Sequence, residues 1–212
     1  MNTTTRQSHW DGVYTLKSET AVSWFQATPA VSLNIIQEEH LPPDAAIMDV
    51  GGGASLLVDS LLGEGFNNLS VLDVSARALE MTRARLGGQG KSVQLICADI
   101  TTWQPASSYR LWHDRAVFHF LTEDQDRQAY IEALRQAVVP GGRVIIASFA
   151  LDGPEKCSGL PVCRYSHASL AAAMGEGFSL MGGVMEDHAT PSGKIQKFQY
   201  TILTYNPVTV LR

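Results

Sequence analysis

From residue 46 onward the apolar positions follow two periods in turn. Short, mainly apolar runs at 46–50, 69–74, 92–97, 109–113 and 143–149 read as buried strands. Between them lie segments whose apolar residues recur at helical spacing. Residues 54–63 carry the stripe Leu56, Leu57, Val58, Leu61 and Leu62, and residues 75–86 turn Leu79 and Leu86 inward behind Ser75 as N-cap. Residues 123–138 open on Glu123, Asp124 and Asp126, which suits the positive end of a helix. Gly87-Gly88 and Pro140-Gly141-Gly142 punctuate the series. Such β–α steps predict a parallel sheet with helices on both faces. The end of the chain differs. After a helix over 167–174, the runs Gly177–Met181 and Phe198–Tyr205 have no helical segment between them, so they should pair antiparallel. The expected fold is α/β: a Rossmann-like seven-stranded sheet, mostly parallel, with a C-terminal antiparallel hairpin.

The front of the chain is less regular. Residues 1–8 are polar and should fray. Trp10, Tyr14 and Trp24 follow without strand alternation, either as a flap over the core or as a lid over a ligand pocket. A helix opened by Pro29 carries Val31, Leu33, Ile35 and Ile36 on its apolar face and stops at Pro42-Pro43. One domain over 1–212 is expected, with 8–40 as a helical lid or cap.

Composition narrows the class. The chain has 212 residues, 45% of them hydrophobic, enough for a sizeable core. A net charge of −5 argues against general nucleic-acid binding. Three cysteines, Cys97, Cys157 and Cys163, suit free thiols in a reducing compartment. No apolar stretch approaches the ~20 residues of a membrane span, and Met1 to Ser8 lack the apolar centre of a secretion signal. A cytoplasmic protein without membrane or nucleic-acid partners is expected; oligomeric state is not legible.

Chemistry first shows at Ile47-Met48-Asp49-Val50-Gly51-Gly52-Gly53-Ala54-Ser55, a strand, a glycine turn and a helix start. Glycines there allow a sharp turn and close approach of a ligand to the main chain. Asp73 ends the next apolar run, 20 residues after Gly53, where nucleotide-binding units place a ribose-binding carboxylate. Asp99 ends the third. The dinucleotide fingerprint wants Gly or Ala where this chain has Leu56, which disfavours a pyrophosphate and a nicotinamide dehydrogenase.

Asp49-Val50-Gly51-Gly52-Gly53, Val71-Leu72-Asp73-Val74-Ser75, Ala98-Asp99-Ile100 and Pro140-Gly141-Gly142 together resemble the class I S-adenosylmethionine-dependent methyltransferases. The resemblance implies S-adenosyl-L-methionine as cofactor and S-adenosyl-L-homocysteine as product. It implies that Gly51 and Gly53 approach the methionine part, Asp49 places its amino group, and Asp73 with neighbouring Val74 takes the ribose. Asp99 would contact the adenine amino group and Ile100 the ring. Trp10, Tyr14 and Trp24 look like the aromatics that help close the cofactor site in the small elongation-factor and citrate-synthase lysine methyltransferases.

In such enzymes the fourth strand end faces the transferable methyl. Here it reads Leu111-Trp112-His113-Asp114-Arg115-Ala116-Val117-Phe118-His119-Phe120. His119 is the candidate general base, because an ordinary imidazole titrates near neutrality. Asp114 would orient the nucleophile or the cofactor's methionine end. Arg115 would hold a substrate carboxylate, touch the cofactor, or pair with Asp114. In the Gly/Pro-rich loop Asp152–Tyr165, Arg164 and Tyr165 are candidate anionic-substrate contacts. Its two cysteines with Cys97 raise an arsenite or thiol methyltransferase, yet their spacing is no metal motif and no metal is predicted. The leading expectation is methyl transfer to a small molecule. A protein lysine is the alternative substrate, and non-catalytic binding of S-adenosylmethionine stands behind both. No Asn-Pro-Pro-Tyr type motif points to DNA or RNA.

Overall fold

The computed structural model describes residues 2–207, so residue 1 and residues 208–212 of the expected 1–212 domain lie outside the described residues. The described residues form six α-helices: α1 (Thr3–Leu16), α2 (Ala30–Glu38), α3 (Leu57–Gly63), α4 (Ala76–Leu86), α5 (Asp124–Ala137) and α6 (His167–Met174). The strands are β1 (Ile47–Val50), β2 (Leu69–Asp73), β3 (Val93–Cys97), β4 (Tyr109–Arg115), β5 (Val138–Phe149), the two-residue pair β6 (Lys156–Cys157) and β7 (Leu160–Pro161), β8 (Phe178–Ala189) and β9 (Ile195–Tyr205).

Seven strands form one sheet in the order β3-β2-β1-β4-β5-β9-β8. β1 to β5 are mutually parallel, while β9 runs antiparallel to both β5 and β8. Strand order reverses beside β1, between β2 and β4, where open α/β sheets leave a crevice at their carboxyl ends. Alternation along the strands feeds two cores. Met48, Val50, Trp112 and Ile146 pack on one face with Tyr130, Leu134 and Leu203. Ile47, Leu111 and Ile145 pack on the other with Ile36, Leu57, Leu61 and Phe149. Among the described residues no helix is long and apolar enough to cross a membrane.

Three expectations change. Residues 3–8 do not fray: Asn2 caps α1 by accepting from the Thr5 N–H, and Arg6 ties the helix to Asp99 and Asp126. The fifth strand does not wait for Pro140-Gly141-Gly142 to pass. It starts at Val138, and the register slips between the Tyr109 and Leu111 pairings as the glycines make a bulge. Gly141 takes φ +75° there, and a Cβ on Gly142 would stand 2.5 Å from Val138 Cγ1, so only glycines fit. The first helix after the glycine loop starts at Leu57 rather than residue 54, with the Ser55 hydroxyl accepting from the Leu57 N–H.

Candidate active site

The carboxyl ends of β1, β2, β3 and β4 meet beneath α1 around a cavity of about 230 Å³. Trp10, Tyr14 and Trp24 line it, as do Gly51, Asp73, Val74, Asp99, Ile100 and Arg115. The aromatic rings form one cluster. Trp10 meets Trp24 edge-on at 5.7 Å between centroids and Phe120 at 5.1 Å, and Tyr14 meets Trp24 at 6.2 Å. Burial pushes the Tyr14 hydroxyl well above its ordinary range. Asp49 and Gly52 line an adjoining pocket with Tyr14, Ala54, Ser55 and His113.

The glycine loop is fixed from both sides. Gly51 has φ +69°, and a Cβ on it would lie 2.1 Å from Val117 Cγ2. A Cβ on Gly53 would lie 2.3 Å from Asp73 Oδ2. The buried Thr82 hydroxyl donates to the Gly53 carbonyl. Arg85 donates to the Ser55 carbonyl at 2.7 Å while its other nitrogens hold Asp59 and Glu19. Neither residue stood out in the sequence: Thr82 is a polar residue on the buried face of α4 with Ala78, Leu79 and Leu86, and nothing local marks Arg85.

The acids at the strand ends differ in what satisfies them. Asp49 Oδ1 meets His113 Nδ1 at 2.7 Å, and His113 Nε2 meets the Ser32 hydroxyl at 2.9 Å. Asp49 Oδ2 is buried with no partner. Asp73 accepts from the Ser75 N–H at 2.8 Å. Its burial, with Asp49 and Asp11 nearby, pushes its carboxyl up to about 7 despite that bond. Burial also acts on Asp99, but the Thr101 N–H and hydroxyl and the Arg6 guanidinium at 3.0 Å outweigh it and hold that carboxyl below its ordinary value. Asp11 of α1 accepts from the Ser75 hydroxyl at 2.6 Å, anchoring α1 to the cap of α4. Arg6 and Asp11 also escaped the sequence reading, since the segment lacked a periodic pattern.

The fourth strand end departs from expectation. Asp114 is wholly buried and off the cavity. It accepts from the Val117 N–H at 2.8 Å, the Phe118 N–H at 3.0 Å and the Tyr130 hydroxyl at 2.7 Å, so it shapes the turn after β4. Burial raises it to about 6. His119 is likewise wholly buried, with rings of Phe120 and Phe149 at 4.4 and 4.9 Å and neither ring nitrogen bonded. Burial and the Arg115 charge push it down to about 3. An imidazole sealed from the cavity and made this weakly basic has no substrate proton within reach, so its position does not suit a general base. Arg115 does line the cavity. It donates to the Tyr200 hydroxyl at 2.9 Å, the Trp24 carbonyl at 3.2 Å and Glu186 at 3.3 Å, and lies 4.2 Å over the Phe198 ring, so its partner is Glu186 rather than Asp114.

Arg164 and Tyr165 do not reach the cavity. Arg164 bonds the Gly153 carbonyl and Glu155, and Tyr165 packs 5.6 Å from Phe118 in the core. Their loop contributes instead through Cys157, Leu160 and Pro161 of β6 and β7. The Cys157 thiol is buried, which pushes it up to about 11. Cys97 is exposed, and among the described residues no cluster of three or more His, Cys, Asp or Glu could hold a metal.

The site's donor set fits S-adenosylmethionine. The unpartnered Asp49 oxygen suits an ammonium, the closely packed glycine turn brings its main chain to the cavity wall at Gly51, and Asp73 presents a poorly satisfied carboxyl to hydroxyl donors. Comparisons with known proteins agree. Residues 47–142 match the family described as "Methyltransferase domain". EEF1A lysine methyltransferase 2 of Mus musculus is 25% identical over 216 residues, covering 97% of this chain and 81% of that protein. Two solved structures share the fold. One, reported for conversion of a disulfide bond into a thioacetal group during echinomycin biosynthesis, superposes with TM-score 0.76 at 17% identity, over 96% of this chain and 94% of that one. The other is the Burkholderia thailandensis 1,6-didemethyltoxoflavin-N1-methyltransferase with bound 1,6-didemethyltoxoflavin and S-adenosylhomocysteine, with TM-score 0.69 at 16% identity over 94% and 84% of the two chains.

Proposed function

We propose that this chain, a class I S-adenosylmethionine-dependent methyltransferase that resembles the lysine methyltransferase-like group, methylates a largely apolar small molecule. The observation that carries this reading is the cavity. Beyond the strand-end acids its walls are Trp10, Trp24, Phe120 and Phe198 with Cys157, Leu160 and Pro161, a lining suited to an apolar body. The net charge of −5 speaks against a nucleic-acid substrate, and the three free cysteines suit the cytoplasm.

The cofactor supplies a methyl group already activated on a sulfonium, so the chain's task is alignment. In our reading Asp73 and Val74 hold the ribose, Asp49 the amino group, and Gly51 and Gly53 admit the methionine part. Asp99 and Ile100 bound the adenine end, with Arg6 fixing Asp99. Trp10, Tyr14 and Trp24 on and after α1 act as a lid that excludes water. Arg115, held by Glu186 and Tyr200, forms a polar wall on the substrate side. His119 is sealed off and Asp114 is spent on its turn, so neither removes a proton. In our reading the acceptor's lone pair forms the new bond as the carbon–sulfur bond breaks, and any proton the acceptor sheds goes to neither of these two residues.

A protein lysine is the second reading, favoured by the relative that covers 97% of the chain. Radiolabelled S-adenosylmethionine incubated with lysate separates the two. Label in the small-molecule fraction is expected, and label in the protein fraction would overturn the small-molecule reading.

A further inference from the structure

Three buried polar side chains interrupt the apolar sheet face beneath α2. Asp49 and His113 are register partners on the parallel strands β1 and β4, so they stand side by side on the face that carries Ile47, Leu111 and Ile145. Ser32 reaches them from α2. The three are 1% (Ser32), 4% (Asp49) and 2% (His113) exposed. They form one chain: the Ser32 hydroxyl meets His113 Nε2 at 2.9 Å, and His113 Nδ1 meets Asp49 Oδ1 at 2.7 Å. The chain stops short at its far end, because Asp49 Oδ2 is buried and has no partner.

Two observations turn that end toward a ligand. Asp49 lines the pocket adjoining the main cavity with Gly51, Gly52 and Tyr14. A Cβ on Gly52 would stand 2.2 Å from Asp49 Oδ2, so only glycine leaves that oxygen uncovered by a side chain. Arg115, a cation that also lines this pocket, is paired with Glu186. We propose that His113 and Ser32 are positioning residues for cofactor binding: Ser32 donates to His113 Nε2, the Nδ1–H donates to Asp49 Oδ1, and the second Asp49 oxygen is thereby held for the ammonium of the cofactor's methionine part. The inference rests on the cofactor assignment proposed above.

An aspartate carboxyl rotates over a broad well unless something fixes it. A donor on Oδ1 fixes it here and leaves Oδ2 the only acceptor to spare. The ring must carry its proton on Nδ1 to do so, since a bare Nδ1 would set lone pair against lone pair. Donation from Ser32 to Nε2 selects that tautomer, as outer partners do for ligand-holding histidines. A neutral ring also leaves the Asp49 charge to be answered by the ligand. A structural filling of this face would need none of these groups, and a buried carboxylate oxygen without a partner is destabilising on its own.

Calorimetry of the full chain with S-adenosylhomocysteine and with its desamino analogue, which keeps the nucleoside, sulfur and carboxylate but lacks the ammonium, tests this. The wild type should bind S-adenosylhomocysteine about tenfold more tightly than the analogue. His113→Leu should close that gap, weakening S-adenosylhomocysteine about tenfold and the analogue less than about twofold. His113→Asn, whose amide nitrogen takes the place of Nδ1, should restore most of the gap. Ser32→Ala should narrow it about threefold. Nitrogen-15 NMR of the wild-type His113 ring at pH 7.5 should show a protonated Nδ1 and a bare Nε2. Circular dichroism checks folding, and if His113→Leu does not fold, the Ser32→Ala ratio and the ring spectrum decide. Equal wild-type affinity for the two ligands, equal losses for both in His113→Leu, a His113→Asn protein as weak as His113→Leu, an unchanged ratio in Ser32→Ala, or a doubly protonated ring would overturn the inference and leave the cofactor assignment standing. Binding of neither ligand by the wild type would overturn both.

Discussion

Asp73→Asn should make the ligand-free protein more stable and the enzyme useless. The carboxyl is buried and lifted from an ordinary value of 3.8 to about 7. An acid whose folded value is raised binds more protons folded than unfolded between those limits, so its stability contribution falls as pH rises from about 4 to about 7. At about 1.4 kcal/mol for each tenfold change in the ionisation constant, that lift makes ionising Asp73 cost about 4 kcal/mol above pH 7. Asparagine keeps an oxygen for the Ser75 N–H and carries no charge. Chemical denaturation from pH 4.5 to pH 8 should therefore show the variant's advantage growing with pH and levelling off above about 7. Binding should move oppositely. Ribose hydroxyls donate to a carboxylate, so wild-type affinity for S-adenosylhomocysteine in calorimetry should weaken about tenfold from pH 7.5 to pH 6, where Asp73 protonates. The variant should bind weakly at both. Equal stability of the two proteins at pH 8 would refute the buried-charge reasoning, and a flat wild-type affinity between pH 6 and 8 would refute the ribose assignment.

Three further substitutions probe the supports of the site. Arg6→Ala leaves the acids Asp99 and Asp126 without their shared cation, so amide exchange over 3–16 should quicken and cofactor affinity should drop about tenfold, an effect of about 1.4 kcal/mol; unchanged exchange would sink the latch role. Tyr130→Phe removes the donor to Asp114 and the acceptor of the Trp112 indole N–H at 2.9 Å, and should cost about 2–4 kcal/mol in urea unfolding. His119→Leu removes two buried unbonded nitrogens at similar volume and should gain about 1–3 kcal/mol with methyl transfer retained, the gain widening as pH falls below 6.5, where the unfolded imidazole takes up a proton that the folded one refuses; loss of turnover in a folded His119→Leu protein would restore the base.

The parallel half of the sheet was legible because β1, β2 and most of β4 and β5 are buried on both faces and each crossover helix has one apolar stripe. Ile47, Val71, Leu111 and Ile145 announce themselves by hydropathy alone, and the acids at their ends follow from register. The terminal hairpin was legible for the complementary reason, a missing helix between two apolar runs. What escaped is tertiary. Nothing local distinguishes Arg6 from any N-terminal arginine, and only the fold brings it within 3.0 Å of Asp99, 93 residues away. Asp114 and His119 read as chemistry because polar residues at a strand end usually face the crevice. Here register sets Asp114 beside Val50 and Ile146 on the sheet face that Tyr130 covers, and Ala116, at φ +75°, turns the chain back into a 3₁₀ turn over Phe118–Phe120 that buries His119.

That turn shows how the two halves of the cavity were built under different constraints. In the assignment proposed above, the nucleoside end must present acids at fixed strand ends, and it accepts the cost of Asp73 and of an unpartnered Asp49 oxygen. The substrate end has no such fixed geometry. Its wall is assembled from Trp10 and Trp24 before the first strand, Phe120 after the fourth, Cys157 after the fifth and Phe198 on the last. Five segments with no common period meet there, and Arg115 joins them by bonding Trp24, Tyr200 and Glu186 together. A cation so placed, desolvated over Phe198 and matched by one acid, fixes the wall more than it attracts a substrate anion, because its charge is already answered. Arg115→Lys, which keeps the charge and loses the forked geometry, should then raise KM for the substrate far more than it raises the Kd for S-adenosylhomocysteine. Equal losses in both would mean that Arg115 serves the cofactor end as well.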